Sequence, residues 1–204
     1  MKTLIIIDAQ NDFMQGGPLE VPQANMIIPV INKIQSYFDL ILATQDWHPG
    51  DHQSFASDHA GKKPFDKLLL HGSLQTLWPD HCIQGSKGAE LHRDIESNKI
   101  AAIFRKGMDR EIDSYSAFYD NNHNSSTGLA GYLKDKGASE IHFCGLAADI
   151  CVYYSILDSI LEGFSATLIE DASRPLIPDK FDDIKCEIAK QGVRIITSEE
   201  LQVR

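Results

Sequence analysis

The chain has 204 residues, 43% of them hydrophobic and 24% charged, a balance that excludes a disordered, collagen-like or disulfide-only protein. Its formal net charge of −10 comes with no clustered lysine and arginine, which excludes a nucleic-acid footprint. The length fits a single domain, taken as residues 1–204.

Read in chain order, the first predicted strand covers residues 3–7 and meets Asp8 too soon to be a signal h-region or a membrane span. No lipidation motif is visible, so no membrane partner is expected. A helix follows over residues 27–38, with Pro29 tolerated only in its first turn. The second strand is predicted over 40–44, and residues 46–85 then form a long segment rich in His, Asp, Gly and Ser without a clear strand. Next come a helix over 88–96, a strand over 100–104, and a polar stretch with interleaved aromatics over 107–125. Helices over 126–136 and 149–162 end at Gly137 and Gly163, on either side of a strand over 141–144. A strand over 167–169, a helix over 180–190 and a strand over 193–196 complete the pattern. The strand candidates are near-continuous apolar runs, as parallel strands covered on both faces require. The expected fold is therefore α/β: an open, mostly parallel six-stranded sheet with helices on both faces, Rossmann-like. The two long loops follow the second and third strands, at the carboxyl edge where such sheets bind ligands.

Three ionisable residues fall at that edge. Asp8 ends the first strand, Lys106 follows the third, and Cys151 opens a helix just after the fourth. A thiol at a helix N-terminus near a cation has its pKa lowered and becomes a nucleophile; a buried structural cysteine is the alternative. Asp8 alone could cap a turn and Lys106 alone could be a surface lysine, but the three together point to a site. Asp46-Trp47-His48 puts a carboxylate and an imidazole two residues apart, with His52 and His81 nearby, and such ligands suit a divalent metal. The cysteines Cys82, Cys144, Cys151 and Cys186 show no C-x-x-C pair, so free thiols in a reducing cytoplasm are expected.

Taken together, these residues resemble the nicotinamidase/pyrazinamidase family of isochorismatase-like cysteine hydrolases. The matching pieces are Asp8-x-Gln10-Asn11-Asp12-Phe13 with Gly16-Gly17, Gln45-Asp46-Trp47-His48-Pro49 with Ser54-Phe55, and Leu77-Trp78-Pro79-Asp80-His81-Cys82. Arg105-Lys106-Gly107, Asp113-Ser114-Tyr115-Ser116-Ala117-Phe118 and Gly145-Leu146-Ala147-x-Asp149-x-Cys151-Val152 follow in family order, so the match spans the chain. The resemblance implies an isochorismatase-like hydrolase fold and a catalytic triad of Asp8, Lys106 and Cys151. It implies a cis Leu146–Ala147 peptide, with the Ala147 and Cys151 N–H groups facing a developing oxyanion. Phe13, Trp78 and Tyr115 match the walls around the substrate ring; for each, ordinary packing is the alternative. Asp46, His48 and His81 match the ligands of a divalent ion, zinc first, with iron or manganese as alternatives. His52 stands where some members supply a further ligand and is left outside this set, and the insert at residues 54–76 matches only part of the family.

The activity this implies is hydrolysis of nicotinamide, and of pyrazinamide, to the acid and ammonia in NAD salvage through a Cys151 thioester. The small-molecule substrate is the one implied partner, and self-association into a homo-oligomer is left open. Another isochorismatase-like amide or carbamoyl hydrolase is the nearest rival, although such members need no metal to anchor a pyridine. A non-catalytic binding domain on the same fold is the rival from another class, and it would have no use for the Asp8/Lys106/Cys151 set.

Overall fold

A computed structural model describes residues 1–201. In chain order the elements are β1 (Lys2–Ile7), α1 (Ile27–Ile34), β2 (Leu40–Asp46), a hairpin of β3 (Lys67–Leu70) and β4 (Ser73–Thr76), and β5 (Ala102–Lys106). Then come α2 (Leu129–Asp135), β6 (Glu140–Leu146), α3 (Cys151–Leu161), β7 (Ser165–Arg174), α4 (Phe181–Lys190) and β8 (Arg194–Ile196). Six strands form one sheet in the order β5-β2-β1-β6-β7-β8, and every neighbouring pair is parallel. The strand order reverses between β1 and β6, so the sheet has its switch point there.

The pleat divides the core. Leu4 and Ile6 of β1 join the α1 residues Ile27, Ile31 and Ile34 on one face. Ile5 and Ile7 pack with Leu129 and Leu133 of α2, Val152 and Ile156 of α3, and Ile188 of α4 on the other. Each fully buried Leu or Ile side chain contributes about 1.5–3 kcal/mol, so β1 anchors both layers. Among the described residues, no helix is long and apolar enough to cross a membrane.

The structure corrects the sequence reading in four places. β7 runs from Ser165 to Arg174, far beyond the apolar run at 167–169 that announced it. The helix expected at 88–96 does not form, because its backbone lines the loop after β1 instead. Glu90 and Gly88 carbonyls accept the Asn11 and Asp12 N–H groups at 3.0 and 3.1 Å, and the His92 N–H donates to the Ala9 carbonyl at 2.8 Å. The stretch read as strandless holds the β3–β4 hairpin, whose antiparallel pairs Leu69–Leu74 and Leu68–Gln75 carry too little apolar alternation to announce it. The third strand of the main sheet runs from Ala102 to Lys106 rather than over 100–104. Its register pairs Lys106 with Asp46, the last residues of β5 and β2.

Gly145 closes the switch point. It pairs with Ile7 at the carboxyl ends of β6 and β1, with φ of 116°. A Cβ there would lie 2.0 Å from the Ile7 carbonyl oxygen and 2.7 Å from its nitrogen, so only glycine lets the strands meet. Gly145→Ala should therefore lower the unfolding midpoint by more than 10 °C, or give insoluble protein, because backbone on both sides must move. A thermal melt within 3 °C of the unsubstituted protein would contradict this reading.

Candidate active site

The carboxyl ends of four adjacent strands deliver the site. β1 ends before Asp8, β2 ends on Asp46, β5 ends on Lys106, and the turn after β6 leads to Cys151, the first residue of α3. All four side chains are buried. The Lys106 ammonium has acceptors on every side: Asp46 Oδ1 at 2.5 Å, Asp8 Oδ2 at 2.9 Å, the Ser114 carbonyl at 3.0 Å and Cys151 Sγ at 3.5 Å. Sγ of Cys151 and carboxylate oxygens of Asp8 and Asp46 all lie within 4.8 Å of one another. The structure thus brings Asp8, Lys106 and Cys151 into contact.

One ammonium faces two carboxylates, and the two do not share it equally. Burial works to raise the Asp46 carboxyl, but Lys106 and His48 outweigh it and hold the group well below the usual range. Asp8 goes the other way: burial raises it and the Asp46 charge adds to the rise, against the opposing pull of Lys106 and Thr44. Its Oδ1 accepts the Thr44 hydroxyl at 2.6 Å, whereas Oδ2 has the ammonium beside it but no aligned hydrogen-bond donor. Burial would lower Lys106, yet Asp46 and Asp8 keep it charged with a pKa well above its ordinary value. The sequence reading expected a lowered Cys151 thiol. Burial instead pushes it well up, and Asp8, Asp46 and Asp113 add to the rise against Lys106. Sγ thus lies beside a carboxylate of raised pKa, a pairing in which a base can take the thiol proton during attack.

A second cluster shares Asp46. His48 Nδ1 and His81 Nδ1 each lie 2.8 Å from a backbone carbonyl, those of Gly107 and Pro79. Those bonds put the ring proton on Nδ1 and leave a lone pair on each Nε2. Both Nε2 atoms face Asp46 Oδ2, at 3.7 and 3.8 Å. Two imidazole lone pairs converging on one carboxylate oxygen is a donor set that fits a divalent ion. His52 differs. Its Nδ1 accepts the Ser54 N–H at 3.1 Å, which leaves the neutral ring's proton on Nε2, and burial with His48 nearby holds its pKa down at about 4.

Above both clusters opens a narrow cleft. Phe13, Trp78, Tyr115, Leu19, Val21 and Leu176 give it apolar walls, while Asp46, His81, Ala147 and Cys151 reach its floor. The Leu146–Ala147 peptide is cis, as the resemblance implied. Neither the Ala147 N–H nor the Cys151 N–H donates a hydrogen bond among the described residues. The arrangement offers a nucleophile, a base, free amide donors, cation ligands and a flat apolar slot within one cleft, which is the equipment of an acyl-transfer hydrolase.

The comparisons agree with that class. The Isochorismatase domain model matches residues 2–200, and the chain belongs to the isochorismatase family. A nicotinamidase of Acinetobacter baylyi is 43% identical over 201 residues, covering 98% of this chain and 94% of that protein. Among solved structures, an Acinetobacter baumanii nicotinamidase/pyrazinamidase superposes with a TM-score of 0.95 at 42% identity, covering 98% of both chains. A Pyrococcus horikoshii pyrazinamidase in complex with zinc superposes with a TM-score of 0.80 at 32% identity, covering 96% of this chain and 98% of that one.

Several supporting residues went unassigned in the sequence. Thr44 binds the Asp8 carboxylate and N–H, and its signal was its place two residues before Asp46, on the same strand face. Gln10 pairs its side-chain amide with the backbone of Asp46, donating to its carbonyl and accepting its N–H at 2.8 Å each. Asp149 accepts the Leu176 and Ile177 N–H groups, fixing one lip of the cleft; its place in the motif before Cys151 marked it, but not these partners.

Gly107 sets the His48 ring. With φ of 64°, a Cβ there would lie 2.3 Å from His48 Cε1 and 2.7 Å from Nδ1. Gly107→Ala should turn the ring away and break the bond between Nδ1 and the Gly107 carbonyl. The variant should lose at least tenfold in divalent-metal affinity, the usual scale for an orienting partner, while its circular dichroism stays native. Full metal content at native affinity would contradict the assignment.

Proposed function

We infer that this protein is a nicotinamidase, hydrolysing nicotinamide to nicotinate and ammonia as an amidohydrolase of pyridine-nucleotide salvage. The observation that carries the reading is the shared Asp46. It ties a thiol–lysine–carboxylate cluster to a metal-ligand set at the floor of one apolar cleft, in a chain 43% identical to a nicotinamidase along almost its whole length.

In the proposed mechanism the pyridine ring lies among Phe13, Trp78 and Tyr115 with its carboxamide over Cys151. Asp8 takes the thiol proton through Oδ2 as Sγ attacks the carboxamide carbon. Lys106 stays charged, holding Asp8 and Sγ in reach of each other and offsetting the negative charge that passes between them. The Ala147 and Cys151 N–H groups meet the oxyanion, and one such donor is worth about 3–4 kcal/mol in a transition state. Asp8 then gives its proton to the departing nitrogen, which leaves as ammonia, since an amide nitrogen leaves poorly unprotonated. A nicotinoyl thioester remains. Asp8, again a carboxylate, takes a proton from water as it attacks and passes it to Sγ as the C–S bond breaks, so the Cys151 thiol is restored and nicotinic acid leaves, ionising to nicotinate in water.

Asp46, His48 and His81 would hold the divalent ion, zinc first. When bound, it would supply Lewis-acid chemistry, which a pyridine nitrogen suits as a lone-pair donor. That chemistry favours nicotinamide over carbamoyl substrates, which have no ring nitrogen, and pyrazinamide should be accepted because it keeps one. The four free cysteines are consistent with a reducing, cytoplasmic setting.

Ammonia release tests the assignment. Nicotinamide should be turned over, and benzamide, alike in shape but lacking the ring nitrogen, should fall at least 100-fold behind in kcat/KM. Chelation of the metal should narrow the gap by slowing nicotinamide alone. Equal hydrolysis of the two amides by the metal-loaded protein would remove the physical support for nicotinamide as substrate.

A further inference from the structure

The insert at residues 54–76 has no part in the chemistry above, yet one of its side chains is hydrogen-bonded to residues that line the cleft. Gln75, on β4, is buried, and its amide nitrogen points inward. That nitrogen donates to Asp113 Oδ2 at 2.9 Å, to the Tyr115 hydroxyl at 3.1 Å and to the Thr76 carbonyl at 2.7 Å. Asp113 passes the contact on. Its Oδ2 also accepts the Trp78 indole N–H at 3.3 Å, and its Oδ1 accepts the Ser114 N–H at 2.8 Å. One amide therefore ties together the two aromatic side chains that form a corner of the cleft, whose rings meet edge to face at 6.1 Å.

What lies behind that corner makes the amide matter. Gln75, Asp113 and Tyr115 line a second cavity, of about 240 Å3, between the β3–β4 hairpin, the loop 111–123 and α3. The three residues form the partition between this cavity and the cleft, since Asp113 and Tyr115 line both. Tyr115 packs on Tyr154 at 5.5 Å, but where its hydroxyl faces the cavity a directed bond from Gln75 supplements that packing. The rest of the insert braces Trp78 from its other sides. The Trp78 N–H donates to the Ser54 carbonyl at 2.8 Å, its carbonyl accepts the Ala56 N–H at 2.8 Å, and Phe65 sets its ring edge-on at 6.0 Å.

We propose that Gln75 is a positioning residue for the substrate: through Asp113 and Tyr115 it fixes the Trp78–Tyr115 corner, and the hairpin exists to carry it there. This rests on the reading that a pyridine ring binds against that corner. Gln75 touches no reacting atom. Its loss should weaken ring binding equally in the ground and transition states, raising KM and sparing kcat.

The test compares the unsubstituted protein with Gln75→Leu, which removes the donor, and Gln75→Glu, which keeps the size but replaces the donor by an acceptor and covers the case in which Gln75→Leu does not fold. Nicotinamide KM should rise roughly tenfold in a folded variant, with kcat within about twofold, the scale of one or two lost hydrogen bonds. Adding Tyr115→Phe should give less than the product of the two single effects, because one hydrogen bond is common to both. A readout without substrate separates this from the functional assignment. The chain has two tryptophans, so the indole N–H signals of 15N-labelled protein are two, and the Trp78 signal should move in either variant. If the unsubstituted protein does not hydrolyse nicotinamide, the functional assignment fails and the indole signal alone decides about Gln75. An unmoved Trp78 signal, or a KM unchanged in a folded variant, overturns the proposal.

Discussion

Everything at the carboxyl edge of the sheet depends on one buried ammonium. Placing Lys106 out of water costs several kcal/mol, and only charged and polar partners at close range can offset that. The fold supplies them from three directions: Asp8 after the central strand, Asp46 across the β2–β5 pair, and the Ser114 carbonyl from the loop beyond β5. One cation cannot satisfy two carboxylates equally. Asp46, which also faces His48 and His81, stays ionised, and Asp8 is left with a raised pKa beside the thiol. That imbalance supports the proposed division of labour, in which Asp46 is structural and Asp8 carries the proton.

The topology makes the imbalance possible. Because the strand order reverses between β1 and β6, the segments after them diverge to opposite sides of a crevice. Asp8 stands on one side and the start of α3, with Cys151 and its free N–H, on the other. Gly145 lets β6 close against β1 just below, so the crevice has a rigid floor. Asp46 belongs to both the ammonium cluster and the imidazole cluster, so the ligand that would hold a metal also orients the lysine. Gln10 secures the Asp46 backbone from the β1 side, which couples the first motif in the chain to both clusters.

Much of this could be read in the sequence because it is written in local signals. The apolar runs announce all six main-sheet strands, although for β7 they mark only three of its ten residues, and Asp8, Lys106 and Cys151 announce themselves by falling at strand and helix ends. The β5 boundary slipped because Ile100 and Ala101 are apolar but lie before the paired residues. The failed helix at 88–96 shows a different limit: its backbone groups are claimed by residues about 80 positions earlier, which no local propensity can reveal. The same holds for Asp113 and Gln75, whose meaning arises only when a hairpin folds back to the cleft. The thiol was misjudged for a related reason. Helix position and a nearby lysine favour a thiolate, but burial among three carboxylates, brought in from separate segments, outweighs both.

The account stands or falls on a covalent bond at Cys151, and trapping that bond tests it most directly. Acid quenching within the first turnovers of saturating nicotinamide, followed by digestion and fragment-ion mass spectrometry that separates Cys144 from Cys151, should find one nicotinoyl group on Cys151 and none on Cys82, Cys144 or Cys186. Ammonia release in step with an unmodified Cys151 under a quench fast enough to precede hydrolysis, or an adduct on another cysteine, would contradict it.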